Sequence, residues 1–285
     1  ATGVIGRALL PVLAEAHEVV AVSRSPRPAE DGVTWAVADA ADAATVRRVL
    51  AGADVAYYLV HSLGSRDFEE RDIAAATTVA REAEAAGLRQ LVYLGGFGEE
   101  GDDLSAHLRS RLETGRALAS GAVPVTTLRA AAVIGEGSAA FETIVALVDR
   151  LPAMVAPRWV STPTQPIAID DAVRYLAGVA GREEALGETY DIGGPEVMTY
   201  REMIERIARL RGKRRVIVEV PVLTPFLSSL WLHLVTPVGA SVARPLVEGL
   251  RNPTVARDDR IRELVPLEPT PFDEAARKAL GIVGP

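Results

Sequence analysis

The sequence predicts an α/β protein: a doubly wound parallel sheet followed by a smaller C-terminal domain. Three observations carry that prediction. A glycine turn, Gly3-x-x-Gly6, opens a helix at the start of the chain. Short apolar runs of strand type then alternate with helical stretches as far as residue 135. Beyond Gly135 the texture changes to proline-rich connections and separate helices. Strands and helices alternating at this spacing build a parallel sheet with helices on both faces.

The first helix is expected over residues 7–16. A βαβ nucleotide unit places a strand before such a turn, so a native N-terminus of roughly ten residues is expected ahead of Ala1. On that expectation this form of the chain lacks a central strand and one glycine of the pyrophosphate loop, and binds cofactor weakly. Glycines here let backbone N–H groups approach a pyrophosphate at the helix N-terminus, where the dipole also favours anions. Two glycines alone are more often a plain turn; the strands that follow give them their context.

Strands are expected at 18–23, 33–38, 55–60, 90–94 and 125–130, the second to sixth when the strand expected ahead of Ala1 is counted. The helices between them are 43–50, 68–86 and 107–120, the second ended by Gly87 as a C-cap. The fifth strand is expected to close at Gly95 and Gly96. Residues 138–151 read as a helix and 152–166 as an irregular, proline-rich connection. Residues 167–169 form a short strand running into Asp170 and Asp171 at a helix N-terminus, where carboxylates suit the dipole. A strand at 189–192 and a helix at 200–211 follow, with Thr199 and Glu202 spaced as a capping box. The resulting division is a nucleotide domain over 1–135, with 166–194 returning to it or its edge, and a substrate or lid domain over 136–285. The basic run Arg209, Arg211, Lys213, Arg214 and Arg215 reads as a solvated helix end.

Composition narrows the function. The 285 residues are 48% hydrophobic and 24% charged, which suits a globular chain able to bury a full core. A net charge of −7 disfavours a broad nucleic-acid surface. No cysteine is present, so disulfides, thiolate catalysis and cysteine-based zinc sites are excluded. The four histidines, at 17, 61, 107 and 233, show no ligand spacing, and no metal site is expected. No signal peptide is visible, so a cytoplasmic location is the default expectation. Residues 221–243 carry no charge if His233 is neutral, and are rich in Leu, Phe and Trp. They read as a buried helix; a pocket wall, or a peripheral membrane or protein contact, are the other readings.

In a doubly wound sheet, ligands sit outside the carboxyl ends of the strands. The loops there are 3–6, 23–27, 39–42, 61–64, 95–98 and 132–135, which predicts dinucleotide binding. Arg24 follows the second strand, where an arginine accommodates a 2′-phosphate and an acid would hold a 2′-hydroxyl. No acid appears between Ser23 and Glu30. NADP(H) is therefore expected, with Arg7 as helper and NAD(H) as the alternative; a solvated loop arginine is the plainer reading.

Almost the whole chain resembles the extended and atypical branches of the short-chain dehydrogenase/reductase superfamily, near the NmrA-like proteins. The resemblance rests on Ala1-Thr-Gly-Val-Ile-Gly6, Asp39 after the third strand, Val92-Tyr-Leu-Gly-Gly96, Thr127-Leu-Arg129 with Val133-Ile-Gly135, Pro166-Ile-Ala-Ile-Asp-Asp171 and Tyr190-Asp-Ile-Gly-Gly-Pro195. Pro157-Arg-Trp-Val160, Thr164-Gln-Pro-Ile167 and Leu223-Thr-Pro225 look like a bacterial branch described as NAD(P)-binding or sugar-epimerase-like. The resemblance implies a Rossmann-type cofactor domain with a small substrate domain.

It also implies cofactor contacts at Gly3, Val4, Ile5, Gly6, Arg7, Ser23, Arg24, Asp39, Val60, His61, Ser62, Gly95, Gly96, Arg111, Ala132 and Val133. Asp39 resembles an adenine-contacting aspartate, or else caps the next helix. His61 is either functional or satisfied by neighbouring backbone. The superfamily's catalytic Tyr-x-x-x-Lys is replaced here by His107 and Arg111, and its Ser falls on Gly95 or Gly96. Arginine stays charged and can hold ribose hydroxyls or phosphate. His107 is the candidate acid or base, or a surface residue. Arg158, Trp159 and Gln165 are the substrate-side candidates, or an interdomain packing loop. The expected function is an NADP(H)-dependent oxidoreductase, or an epimerase/dehydratase-type enzyme, on a small or moderately apolar substrate. The alternative is a non-enzymatic NADP(H)-binding redox sensor or structural subunit.

Overall fold

The computed structural model describes residues 1–30, 32–62, 67–98, 103–220 and 249–282. The expectation for 221–243 lies outside these residues. Helix α1 (Val4–Ala14) precedes the strands β1 (Val19–Ser23) and β2 (Val33–Val37), which pair in parallel. Helix α2 (Ala43–Leu50), β3 (Val55–Tyr58), α3 (Phe68–Ala86), β4 (Gln90–Gly96), α4 (Ala106–Leu118) and β5 (Val125–Ala130) follow. Strand β6 (Val133–Ile134), α5 (Ala139–Arg150), β7 (Ala153–Pro157), β8 (Pro163–Thr164), β9 (Ile167–Ala168), α6 (Ile169–Gly178) and β10 (Thr189–Ile192) come next. Then come β11 (Met198–Thr199), α7 (Tyr200–Leu210), β12 (Val216–Val220) and two more helices, Ile261–Leu264 and Phe272–Ala279.

The main sheet has the order β10-β5-β4-β3 and is parallel throughout. Its pleat sorts the core into two layers, because successive side chains of a strand face opposite ways. On one face, Val92, Leu94, Leu128 and Ile192 pack with Leu9 and Leu13 of α1 and Val173 and Leu176 of α6. On the other, Leu91, Tyr93 and Val125 pack with Val46 and Leu50 of α2 and Ala76, Val79 and Ala83 of α3. Helices therefore cover both faces, as a doubly wound sheet requires. Each fully buried Leu or Val here contributes roughly 1.5–3 kcal/mol relative to an exposed one. Strands β1 and β2 form a separate two-stranded sheet, and among the described residues no ladder joins β1 to β3.

Local chemistry sets most element ends. Asp42 caps α2 by accepting from Ala44 N at 3.0 Å, and Gly87 ends α3 with φ 72°. Thr199 and Glu202 close the capping box of α7. The structure departs from the sequence expectations at several places. Helix α1 starts three residues earlier than expected, at Val4, because Gly3 already has the extended ψ of 169° that suits an N-cap. Strand β4 runs through Gly95 and Gly96, which pair with Arg129 and Ala130 of β5. The connection 152–166 is not irregular: β7 pairs in parallel with β12, a partner whose register sets Ala153 against Val216.

A second core lies beyond β5. Phe141, Leu147 and Val148 of α5 pack with Met203, Ile204 and Ile207 of α7, Met154 of β7, and Phe272 and Ala276 of the last helix. The basic run after α7 is not simply solvated. Arg211 and Lys213 each donate to Asp149 of α5 at 2.6 Å, and these bonds hold its carboxyl down at about 2. The Arg215 guanidinium donates to Val148 O at 2.6 Å.

Candidate functional site

At one end of the sheet's carboxyl edge stands the N-terminus of α1. Gly3 is its N-cap and brings no side chain, so among the described residues the first-turn N–H groups have no side-chain cap. A Cβ built on Gly3 meets nothing within 4 Å, which leaves open space in front of those groups. A Cβ on Gly6 would stand 2.6 Å from Ala1 O, so only glycine lets the turn fold back this closely. The Ala1 amino group donates to Val22 O at 2.5 Å and ties the turn to β1. Arg7 and Arg24 are exposed. Ser23 is buried and accepts from Ser25 N at 3.3 Å, shaping the loop that carries Arg24. Asp39 is exposed and accepts from Ala41 N at 3.0 Å; the helix cap it might have supplied is Asp42.

Toward the middle of the edge the character changes. His61 and Ser62 follow β3, after the exposed Val60. His61 Nδ1 lies 2.8 Å from Asp72 Oδ2, and Ser62 N donates to Asp72 Oδ1 at 3.0 Å. Asp72 comes from α3 and its side chain is 1% exposed. The His107 ring, at the start of α4, sits 5.2 Å from the His61 ring, and Phe68 meets His61 edge-on at 6.4 Å. His61 Nε2 and His107 Nδ1 are both buried with no hydrogen-bond partner among the described residues.

Electrostatics follow from this burial. Desolvation pushes the His107 pKa down to about 3, and the neighbouring His61 and Arg111 charges push the same way. Desolvation also lowers His61, against the opposing pull of its bond to Asp72. Burial would raise the Asp72 carboxyl, yet the hydrogen bonds from His61 and Ser62 outweigh it and hold the group low. Near neutral pH the cluster is therefore an ionised Asp72 facing two neutral imidazoles.

Arg111, one turn along α4 from His107, packs its guanidinium 4.9 Å above the Tyr93 ring and donates to Leu94 O. Tyr93 Oη returns a bond to Arg111 O at 2.8 Å. The glycines of β4 make this approach fit, since a Cβ on Gly96 would lie 3.3 Å from Leu108 Cδ2. Ala132 and Val133 lie beyond β5, where Ala132 O accepts from Ile167 N at 3.0 Å.

A cleft of about 310 Å³ lies beyond the end of β4, lined by Phe97, Leu104, Arg129, Asn252, Val255 and Arg257 among others. Asn252 ties its rim to α4: its Oδ1 accepts from Ser105 N at 3.2 Å, and its Nδ2 donates to Asp103 O at 2.8 Å. Arg129 donates to Asp191 at 2.7 Å, and the same carboxylate accepts from Arg257 N at 2.9 Å. Of the expected substrate residues, Gln165 lies nearest this rim. Its amide donates to Gly194 O at 2.8 Å and accepts from Ala256 N at 2.9 Å, so it fastens the C-terminal segment. Trp159 packs edge-on to Tyr200 at 6.3 Å, in the second core, and Arg158 is exposed beside it.

Sequence reasoning missed Asp72, Phe97, Leu104, Asn252 and Arg257 as site residues. Asp72 did carry a signal: it follows Phe68 by four residues and precedes Ala76 by four, and so falls on the buried stripe of α3. A carboxylate in that stripe needs a partner.

The edge thus has the form of a dinucleotide site, with an uncapped glycine-led helix at one end and a shielded polar cluster at the other. A family model described as NAD(P)H-binding matches residues 1–139. A (4-alkanoyl-5-oxo-2,5-dihydrofuran-3-yl)methyl phosphate reductase from Streptomyces griseus is 31% identical over 224 residues, covering 75% of this chain and 72% of that protein. The chain belongs to this NAD(P)H-binding family, of the atypical short-chain dehydrogenase/reductase type. Among solved structures, the Citrobacter sp. triphenylmethane reductase complexed with NADP(H) is similar, with a TM-score of 0.76, 18% identity, and 98% and 97% of the two chains covered. The Escherichia coli NADPH-dependent quinone oxidoreductase complexed with NADPH is similar at a TM-score of 0.78, 18% identity, and 97% and 96% coverage. Among the described residues, no helix is long and apolar enough to cross a membrane.

Proposed function

We propose that this protein is an NADP(H)-dependent reductase acting on a small, moderately apolar acceptor. The observation that carries the reading is the joining, at the carboxyl ends of the strands, of an uncapped glycine-led helix N-terminus and a buried imidazole cluster. The first holds anions through backbone N–H groups. The second lies where ligands of such sheets react.

The residues fit the cofactor. Open space before Gly3 and the close fold at Gly6 form a cradle for a pyrophosphate, and exposed Arg24, with Arg7, suits a 2′-phosphate. On this reading Asp39 meets the adenine end, Val60, His61 and Ser62 meet the ribose near the nicotinamide, and Gly95, Gly96, Ala132 and Val133 form the wall behind it. When bound, the nicotinamide supplies a hydride. Arg111, braced on Leu94 O and Tyr93, keeps a fixed positive charge at the end of β4. His107 is neutral near pH 7, so its part is that of an uncharged hydrogen-bonding imidazole, and any proton it gives must come from that form. Phe97 and Leu104 supply the apolar wall of the cleft, while Arg129 and Asn252 supply polar edges. The C-terminal part, 136–285, serves as the substrate side.

The named relatives suggest acceptors to try: a quinone, a triphenylmethane dye and an unsaturated lactone phosphate. The test is anaerobic oxidation of NADPH by the purified protein with each in turn, followed by absorbance. Turnover with at least one, faster from NADPH than from NADH, is the expected result. Tight NADPH binding with no oxidation by any of them would instead assign a redox-sensor role, which the missing Tyr-x-x-x-Lys hydroxyl favours.

A further inference from the structure

We propose that His61 is the proton-transfer residue of this site and that Asp72 is its positioning residue, a reading that rests on the reductase function above. The geometry is that of a carboxylate–imidazole pair. Asp72, 1% exposed, accepts from the backbone N–H of Ser62 and stands 2.8 Å from His61 Nδ1. An ionised carboxylate has no proton to give, so the Nδ1–H must belong to the histidine. That fixes the neutral ring as the Nδ1–H tautomer and leaves Nε2 as a lone pair. Nε2 is buried and unpartnered among the described residues, at the carboxyl end of β3. A buried acceptor without a partner is unusual in a folded protein and points to a group that arrives with a ligand.

His107 is less suited to this task. It is packed beside His61 with its own Nδ1 unpartnered, and no carboxylate is bonded to it among the described residues. The charged and titratable groups that face His61 are Asp72 on α3, and His107 and Arg111 on α4. Asp72 alone among them favours a proton on the ring.

The proton balance is simple. The reductive direction draws on doubly protonated His61, a minor form near neutral pH that grows as pH falls: its Nε2 proton goes to the acceptor atom that gains charge when the hydride a bound cofactor would supply arrives. His61 is left as the neutral Nδ1–H ring, and solvent restores the Nε2 proton. In reverse, the Nε2 lone pair takes the proton from the alcohol or hydroquinone. Asp72 stays ionised throughout, as the orienting carboxylate of other acid–base pairs does.

The first test needs no substrate. Two-bond nitrogen–proton NMR of ¹⁵N-histidine protein should show His61 as the Nδ1–H tautomer, and Asp72→Asn should lower its titration midpoint or flip it to Nε2–H. An Nε2–H ring in the unmodified protein, or no response to Asp72→Asn, overturns the positioning role. The second test uses NADPH with menadione. His61→Asn should lower kcat by roughly 100-fold, within the usual range for a general acid, and much more than it changes KM for NADPH. Asp72→Asn should move the falling limb of the rate profile to lower pH, a change that loosened packing alone would not produce. Unchanged kcat in His61→Asn, with the unmodified protein active, sinks this proposal but not the reductase reading. No menadione reduction by the unmodified protein, when another acceptor is turned over, moves the same measurement to that acceptor. Failure with every acceptor overturns both.

Discussion

The glycine end of the carboxyl edge is made of backbone, from one short stretch of chain, and its flanking Arg7 and Arg24 are exposed. The histidine end is made of side chains from α3, α4 and the segment after β3, and its key atoms are shut away from solvent. The first can bind without a titrating group, so its affinity should depend on space and fixed charge. The second concentrates buried groups, so it should respond to pH and to isosteric changes that leave its shape alone. On the proposed reading, binding and chemistry are thereby separable.

The most severe way to break the contrast is at Gly6. A Cβ there would lie 2.6 Å from Ala1 O and 2.9 Å from Ala1 C, both backbone atoms that cannot swing aside. Gly6→Val should therefore weaken NADPH binding by roughly 100-fold, or about 2.7 kcal/mol, in a calorimetric titration. Binding at the level of the unmodified protein would show that the turn is not the cradle.

The histidine end predicts a pH effect on stability. His107 has a folded-state pKa of about 3, below its ordinary value of about 6.5. Between those values the unfolded chain binds more protons than the folded one. The stability it contributes is thus complete above about pH 6.5 and falls as pH drops toward 3, at up to ~1.4 kcal/mol per unit. His61, shifted the same way, adds to the loss. Urea unfolding across this range should show the slope, and His107→Asn should flatten it while Arg24→Ala does not.

The smallest effect is at the exposed arginine. Arg24→Ala should weaken NADPH by about tenfold, or ~1.4 kcal/mol, and leave NADH nearly unchanged. An equal loss for both nucleotides would remove Arg24 from the 2′-phosphate.

The same division governs what could be read from the sequence. Local signals worked: the cap at Gly87, the box of Thr199 and Glu202, and the bounds of α2, α3, β5 and β10 all depend on residues a few positions apart. The glycine turn is local too, and it was legible. Pairings across long separations were not. Strand β7 is flanked by prolines and finds its partner at Val216–Val220, so it read as irregular. The ties from Arg211 and Lys213 to Asp149 turn an apparently solvated basic run into a helix-to-helix link. At the site, His61 and His107 stood out as residue types, but Asp72 did not. One carboxylate among the acids of α3 becomes informative only when β3 brings His61 over it.

The central claim, that one nucleotide spans both ends of the edge, is tested most directly by titrating NADP⁺ into ¹⁵N-histidine protein and following the ring signals. His61 and His107 should shift together, while His17, exposed beyond the far end of α1, should not move. Saturable binding that leaves both His61 and His107 unmoved, or that moves His17 instead, would contradict it.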